Sequence, residues 1–228
     1  MNYKFKISFL VFLMCLCLLA LPGFSQVVDQ EKKIDEKVKK FLESLKYGWR
    51  DMNVPEVDGK ALYDLVIKNK YKKALEVGTS TGHSAIWIAW ALSKTGGKLI
   101  TIEIDRRRYN QAVENFKEAG LIEFIDARLA DAHELVPKLE GPFDFIFIDA
   151  DKDWYTNYAK SLVTKLEVGG CLTAHNVSEY TMSRRGRRGG SVTGNFLEYM
   201  RSLPFMETSI FQDRRSSGLS ISYKRKDK

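Results

Sequence analysis

Cysteine is scarce in this chain. Of three in 228 residues, Cys15 and Cys17 lie inside one apolar stretch near the start, and Cys171 stands alone in the remainder. One cysteine outside that stretch excludes an internal disulfide, so a packed core must hold the rest together unaided. Long apolar runs are missing as well. The longest, Ile7 to Leu21, is 15 residues, short of the ~20 that span a bilayer comfortably. Although the net charge is +7, no basic stripe interleaved with aromatics accompanies it, which argues against nucleic acid as a partner. There is no internal repeat and no sign of a second domain.

At the start, Lys4 and Lys6 precede Ile7–Leu21, and Pro22-Gly23-Phe24-Ser25-Gln26 follows. A basic segment, an apolar segment and a small-residue zone make the pattern of a secretory signal peptide over residues 1–25. The alternative is a short membrane anchor. Neither Cys15 nor Cys17 is preceded by the small residues of a lipoprotein site. Cleavage would leave one exported domain, 26–228, periplasmic or secreted, with no stable membrane span. It would remove Lys4 and Lys6 only and lower the net charge from +7 to +5. With 44% hydrophobic and 29% charged residues, that domain has enough apolar material for a full-sized core.

Lys and Glu dominate Gln30–Tyr47, where Ile34, Val38, Phe41, Leu42 and Leu45 recur at helical spacing and predict an amphipathic helix. A second helix is expected from Pro55 to about Lys68. Strands and helices then alternate: strand 73–77, helix 83–94, strand 98–103, helix 106–119, strand 122–128, a short helix near 132–139, strand 144–149, helix 154–166 and strand 171–175. Helix 193–202 and strands 207–211 and 218–224 close the chain. This order predicts an α/β fold with a doubly wound, seven-stranded, mainly parallel sheet. The short link 212–217 makes the last two strands an antiparallel hairpin.

Ligands of such sheets bind beyond the carboxyl ends of the strands. The first end, Glu76-Val77-Gly78-Thr79-Ser80-Thr81-Gly82, leads into a helix at Ser84. Its glycines would let the backbone approach a ligand facing the helix N–H groups. The spacing is G-x-x-x-G, not the G-x-G-x-x-G of dinucleotide-binding proteins, and a plain tight turn would also account for it. At the second end, Glu103 is placed to accept hydrogen bonds from ribose hydroxyls, while Asp105 is placed to cap the next helix. At the third, Asp131-Ala132-His133, Asp131 is either a helix cap or a ligand contact. The fourth, Asp149-Ala150-Asp151-Lys152-Asp153, packs four ionisable groups into five positions, denser than packing alone asks for. The fifth is His175-Asn176.

Taken in order, Met52-Asn53-Val54, the Glu76–Ser84 turn, Glu103, Asp131-Ala132, Asp149 to Tyr155 and His175-Asn176 resemble the S-adenosylmethionine (SAM)-dependent O-methyltransferases of the catechol and caffeoyl-CoA group. The likeness runs from Met52 to the C-terminus. It implies the Rossmann-like class I methyltransferase sheet, SAM as cofactor and a small hydroxylated acceptor. Val54, Gly78, Ser80 and Ser84 would line the methionine part of the cofactor, with Glu76 and Gly82 in the same turn. Glu103 would hold the ribose, and Asp131, Ala132 and His133 the adenine side. Asp149 would lie close to the sulfonium and ligate a divalent metal, Asn176 would be another ligand, and Lys152 would take the acceptor's proton.

One position departs from the pattern, because the group usually carries Asp-Asn where this chain has His175-Asn176. Mg²⁺ favours oxygen ligands, whereas imidazole suits Zn, Fe, Ni or Cu. Either His175 joins Asp149 and Asn176 around a different metal, or the metal is lost and His175 is a general base or a hydrogen-bonded strand-end residue. The loop Arg184-Arg185-Gly186-Arg187-Arg188 is either a solvated segment or a lid for an anionic acceptor. The helix at 30–47 would cap the site or form a dimer contact. Two other functions remain open: a non-catalytic binding protein for SAM or a nucleoside, and a nicotinamide-dependent oxidoreductase.

Overall fold

The computed structural model describes residues 22–45, 53–179 and 192–227. Most of the signal-like segment, Met52 and the Arg184–Arg188 loop lie outside them. Seven strands form one sheet: β1 Lys73–Val77, β2 Lys98–Glu103, β3 Ile125–Leu129, β4 Phe143–Ile148, β5 Leu166–His175, β6 Met206–Phe211 and β7 Leu219–Lys224. Their order is β3-β2-β1-β4-β5-β7-β6. The first five are parallel, and β7 inserts antiparallel between β5 and β6. The hairpin and the mainly parallel sheet are therefore as the alternation of elements predicts.

The apolar run in β4 shows why this sheet is buried on both sides. Phe145 and Phe147 enter one core cluster, while Ile146 and Ile148 enter the other. Alternate residues of a strand face opposite ways, so a strand covered on both faces must be apolar throughout. Helices α1 Pro22–Ser44, α2 Glu56–Asn69, α3 His83–Thr95 and α4 Arg106–Ala119 cover the first face. On the second lie α5 Ala132–Leu135, α6 Tyr155–Leu162 and α7 Val192–Ser202. From α1, Val38 and Phe41 are buried, and Ile34, Leu42 and Leu45 pack partly against the same core. This helix lies against α3 and α4, where Asp35 accepts from Trp90 Nε1 at 2.7 Å.

Several boundaries differ from expectation, beginning with α1, which starts at Pro22 and not at Gln30. Residues 122–124 form a 3₁₀ turn before β3. Another, Lys152–Trp154, precedes α6, so Lys152 sits on a tight turn directly after the fourth strand end. Strand β5 starts at Leu166, with Gly169 and Gly170 inside it, and its register with β4 shifts between Phe143 and Phe145. A side chain does not fit at Gly170, where a Cβ would stand 2.9 Å from the Glu167 carbonyl oxygen and 3.0 Å from that of Asp144.

Gly59 in α2 shows how tightly the first layer packs. A Cβ there would lie 2.3 Å from Trp87 Cδ1. Trp87 cannot swing away cheaply, since it is buried and its Nε1 donates to His83 Nε2 at 3.1 Å. Helix propensity favours Gly59→Ala by about 1 kcal/mol, but overpacking costs about 1–3 kcal/mol. The expected result is net destabilisation, visible as a lower urea midpoint with an unchanged m-value.

Candidate active site

Strand order reverses between β1 and β4, and their carboxyl ends open a crevice there. The loop after β1 passes through three left-handed residues, Gly78 (φ 98°), Ser80 (φ 49°) and Gly82 (φ 97°). Both glycines are needed for contacts within the protein itself. A Cβ on Gly78 would come within 2.4 Å of the Asp149 carbonyl oxygen, and one on Gly82 within 2.5 Å of the Phe116 ring. Beneath the loop, Thr101 Oγ1 donates to Glu76 Oε2 at 2.5 Å. Burial raises the Glu76 pKa to about 8, against the pull of its hydrogen bonds from Ser84 and Thr101.

A groove of about 800 Å³ runs along these strand ends and is lined by Gly78, Ser80, Glu103, Asp131, Ala132 and His133 on one side. Asp149, Lys152, His175 and Asn176 line it further along. The structure thus brings together ten of the residues singled out from the sequence. Four do not line it. Glu76, Gly82 and Ser84 are buried below the loop, and the Val54 side chain is in the core, leaving its neighbour Asn53 at the groove. His83 fixes that neighbourhood through a 2.8 Å hydrogen bond between its Nδ1 and the Val54 carbonyl.

Glu103 is oriented by the backbone. Its Oε2 accepts from Ser80 N at 2.7 Å, and its Oε1 from Ile104 N at 3.0 Å and Asp105 N at 2.9 Å. Three of the carboxylate's four lone-pair sites are thus filled, and Oε2 keeps one for a ligand in the groove. Asp105 caps α4 through Arg108 N. Asp131 caps α5, accepting from His133 N at 2.8 Å, and also lines the groove. The His133 ring stacks on Trp154 with centroids 4.3 Å apart, and its Nε2 lies 3.0 Å from Asp151 Oδ2.

Asp149 is the electrostatic centre. Lys152 Nζ donates to its Oδ1 at 2.6 Å, and His175 Nδ1 lies 3.1 Å from its Oδ2. Burial pushes the Asp149 carboxyl up, but His175 and Lys152 overcome this and hold it below the usual range. On its other side, His175 Nε2 lies 3.0 Å from Oδ2 of Asp58, a fully buried residue in the first turn of α2. Burial opposes charge on His175, yet its hydrogen bonds to Asp149 and Asp58 outweigh that and raise its pKa to about 9. Asp58 also accepts from Ser217 N at 3.0 Å. Sequence reading missed Asp58, because an acid in a helix's first turn is ordinary and nothing local marks it as buried. Tyr155, in the same run of sequence as Asp149 and Lys152, joins them in the fold. Its hydroxyl accepts from Lys152 Nζ at 2.9 Å.

The groove fits a polar, nucleoside-sized cofactor. Its volume lies in the usual range for small-molecule sites, and Ser80 Oγ is sealed from solvent without a hydrogen-bond partner, a hydroxyl that a ligand group could satisfy. A divalent metal does not fit. Both ring nitrogens of His175 face carboxylate oxygens, and both oxygens of Asp149 already meet a nitrogen donor. Among the described residues no group of three or more His, Cys, Asp or Glu is arranged to hold an ion. Of the expected set Asp149, His175 and Asn176, the first two spend their donor atoms on each other, on Lys152 and on Asp58, and His175 has no free nitrogen for general-base work.

These groups make stability depend on pH. His175 titrates higher when folded than its ordinary 6.5, so its contribution is fully present below pH 6.5 and is lost as pH rises through about 9. The melting temperature should fall across this interval, and His175→Gln should flatten the fall, as differential scanning calorimetry over a pH series would record.

A family model described as O-methyltransferase matches residues 25–181. A catechol O-methyltransferase from Niastella koreensis is 39% identical over 134 residues, 57% of this chain and 60% of that protein. Caffeoyl-CoA O-methyltransferase 1 from Eucalyptus globulus is 34% identical over 147 residues, 62% of this chain and 59% of that one. The matched part spans about 60% of the length of these relatives. An O-methyltransferase from Bacillus cereus, solved in complex with SAH, has a similar structure, with a TM-score of 0.72 at 25% identity over 83% of this chain and 90% of that one. The O-methyltransferase TomG from Streptomyces achromogenes, solved in complex with SAM, shares the fold at 24% identity and TM-score 0.71 over 83% of this chain and 89% of that one. The family match takes in every groove residue from Asn53 to Asn176, and the chain belongs to the O-methyltransferase family.

Proposed function

We propose that the protein is a SAM-dependent O-methyltransferase that methylates a hydroxyl of a small, anionic acceptor. The observation that carries this reading is one groove holding Glu103 at the end of β2 and the Asp149–Lys152 pair at the end of β4. SAM, when bound, supplies a methyl group on a sulfonium. The chain's own part in an in-line displacement is to position the acceptor oxygen and remove its proton. Glu103, pinned by three backbone N–H groups, presents an acceptor to ribose hydroxyls. Lys152 Nζ, about one-third exposed at the groove wall and held by Asp149 and Tyr155, takes the acceptor's hydroxyl proton after releasing its own to solvent. The oxygen then carries the charge that the methyl group neutralises. The relatives named for catechol and caffeoyl-CoA support a small hydroxylated acceptor, and the Arg184–Arg188 run supports an anionic one. The Lys4–Gln26 pattern supports export, and no helix among the described residues is long and apolar enough to cross a membrane.

Calorimetric titration with S-adenosylhomocysteine separates the two roles. Glu103→Ala should weaken binding at least about tenfold, the scale of losing charge-assisted hydrogen bonds. Lys152→Met should leave affinity within about twofold and lower methyl transfer to a catechol carboxylate by about 10²-fold or more. Tight binding without transfer to any hydroxylated probe would instead favour a non-catalytic binding protein. For localisation, the tagged chain should fractionate outside the cytosol and lose residues 1–25, as N-terminal sequencing of the exported form would record.

A further inference from the structure

We propose that His175 does the work of a divalent cation, its ring bridging Asp58 and Asp149 so that the site is complete without a metal ion. The inference rests on the methyltransferase reading for the identity of the site and on geometry for the rest. His175 Nδ1 lies 3.1 Å from Asp149 Oδ2, and Nε2 lies 3.0 Å from Asp58 Oδ2. Carboxylate oxygens accept, so a ring with a carboxylate at each nitrogen is satisfied when both nitrogens carry hydrogen, which is the cationic form. The side chains are closed off from water, Asp58 at 0% and His175 at 4% exposure. Two ionised carboxylates facing the same enclosed ring are stabilised by a cation between them. Here the cation is covalently part of the chain.

The bridge also ties three elements at one point. Asp58 comes from the first turn of α2, His175 from the end of β5, and Asp149 from the residue after β4, while Ser217 N from the turn before β7 closes on the same Asp58 oxygen. With Lys152 on Asp149, two carboxylates meet two cationic side chains and the charges balance. His175 is thus a positioning residue. It fixes the Asp149 carboxylate, which in turn holds Lys152 at the groove. Asp58 is its anchor.

The test is Mn²⁺ titration of the full chain, followed by the electron paramagnetic resonance signal of free Mn²⁺, beside S-adenosylhomocysteine calorimetry with and without EDTA. Wild type should take up no stoichiometric Mn²⁺ up to about 1 mM, the weak end for carboxylate sites, and EDTA should leave homocysteine-cofactor affinity within about twofold. His175→Asp restores an oxygen ligand and removes the internal cation, so it should bind one Mn²⁺ at least about tenfold more tightly than wild type. Stoichiometric Mn²⁺ uptake by wild type that His175→Asn abolishes would overturn the proposal, as would loss of cofactor binding in EDTA. If His175→Asp does not fold, the wild-type titration alone decides. Failure of S-adenosylhomocysteine to bind under any condition would reject the methyltransferase reading, while the Mn²⁺ result would still decide the role of His175.

Discussion

A largely enclosed carboxylate at the point where strand order reverses must be neutralised, and much of this site's construction answers that requirement. Asp149 follows β4 immediately, and its backbone N–H donates to the Val77 carbonyl at 2.8 Å. The contact draws the ends of β1 and β4 together so closely that position 78 has no room for a side chain. An ionised group held there without partners would cost far more than a domain's margin of stability. Two cations come from different parts of the chain, Lys152 from the turn just beyond and His175 from the neighbouring strand. Moving either strand end would separate a charge from its partner, so electrostatics and sheet register constrain each other.

The other side of the groove is built on a different principle. Three backbone N–H groups hold the Glu103 carboxylate. Backbone donors fix direction without filling space, so both oxygens are aimed before a ligand arrives and little ordering remains to be done on binding. The left-handed turn at Ser80 supplies one of those donors. A strained residue persists only where its surroundings over-determine it, and here the glycines on either side and the Glu103 bond do so.

Most of the architecture is legible in the sequence because it follows periodicity. The apolar run in β4, the alternation of strands and helices, and the short link before β7 all carry local signals, and the structure agrees with each. Expectation fails where a tertiary contact decides. Strand β5 begins before its glycine pair because Leu166 can pair with Phe143 across a register shift, which local propensity does not encode. The glycines at 78 and 82 are visible as a motif, but their reason lies in Asp149 and Phe116, distant in sequence. His175 is legible as a departure, whereas its partner Asp58 is 117 positions away and resembles any acid opening a helix. A buried ion pair is a property of two places at once, and one strand of sequence shows only one of them.

The same logic bears on what the groove can hold. A divalent ion at the end of β5 would set two positive charges beside a sulfonium, a repulsion that its ligands must offset. An imidazolium carries one charge and already shares it with two carboxylates in a low-dielectric setting, where pairing at about 3 Å is effective. The groove wall therefore presents a cationic cofactor with carboxylates whose excess charge is balanced from within: Glu103 at one end remains available to hydroxyls, and Asp149 at the other is held still. On the proposed reading, a direct bond from a metal to the acceptor oxygen is given up, proton removal falls to Lys152, and the acceptor would be held by contacts other than chelation, so that a single hydroxyl would suffice.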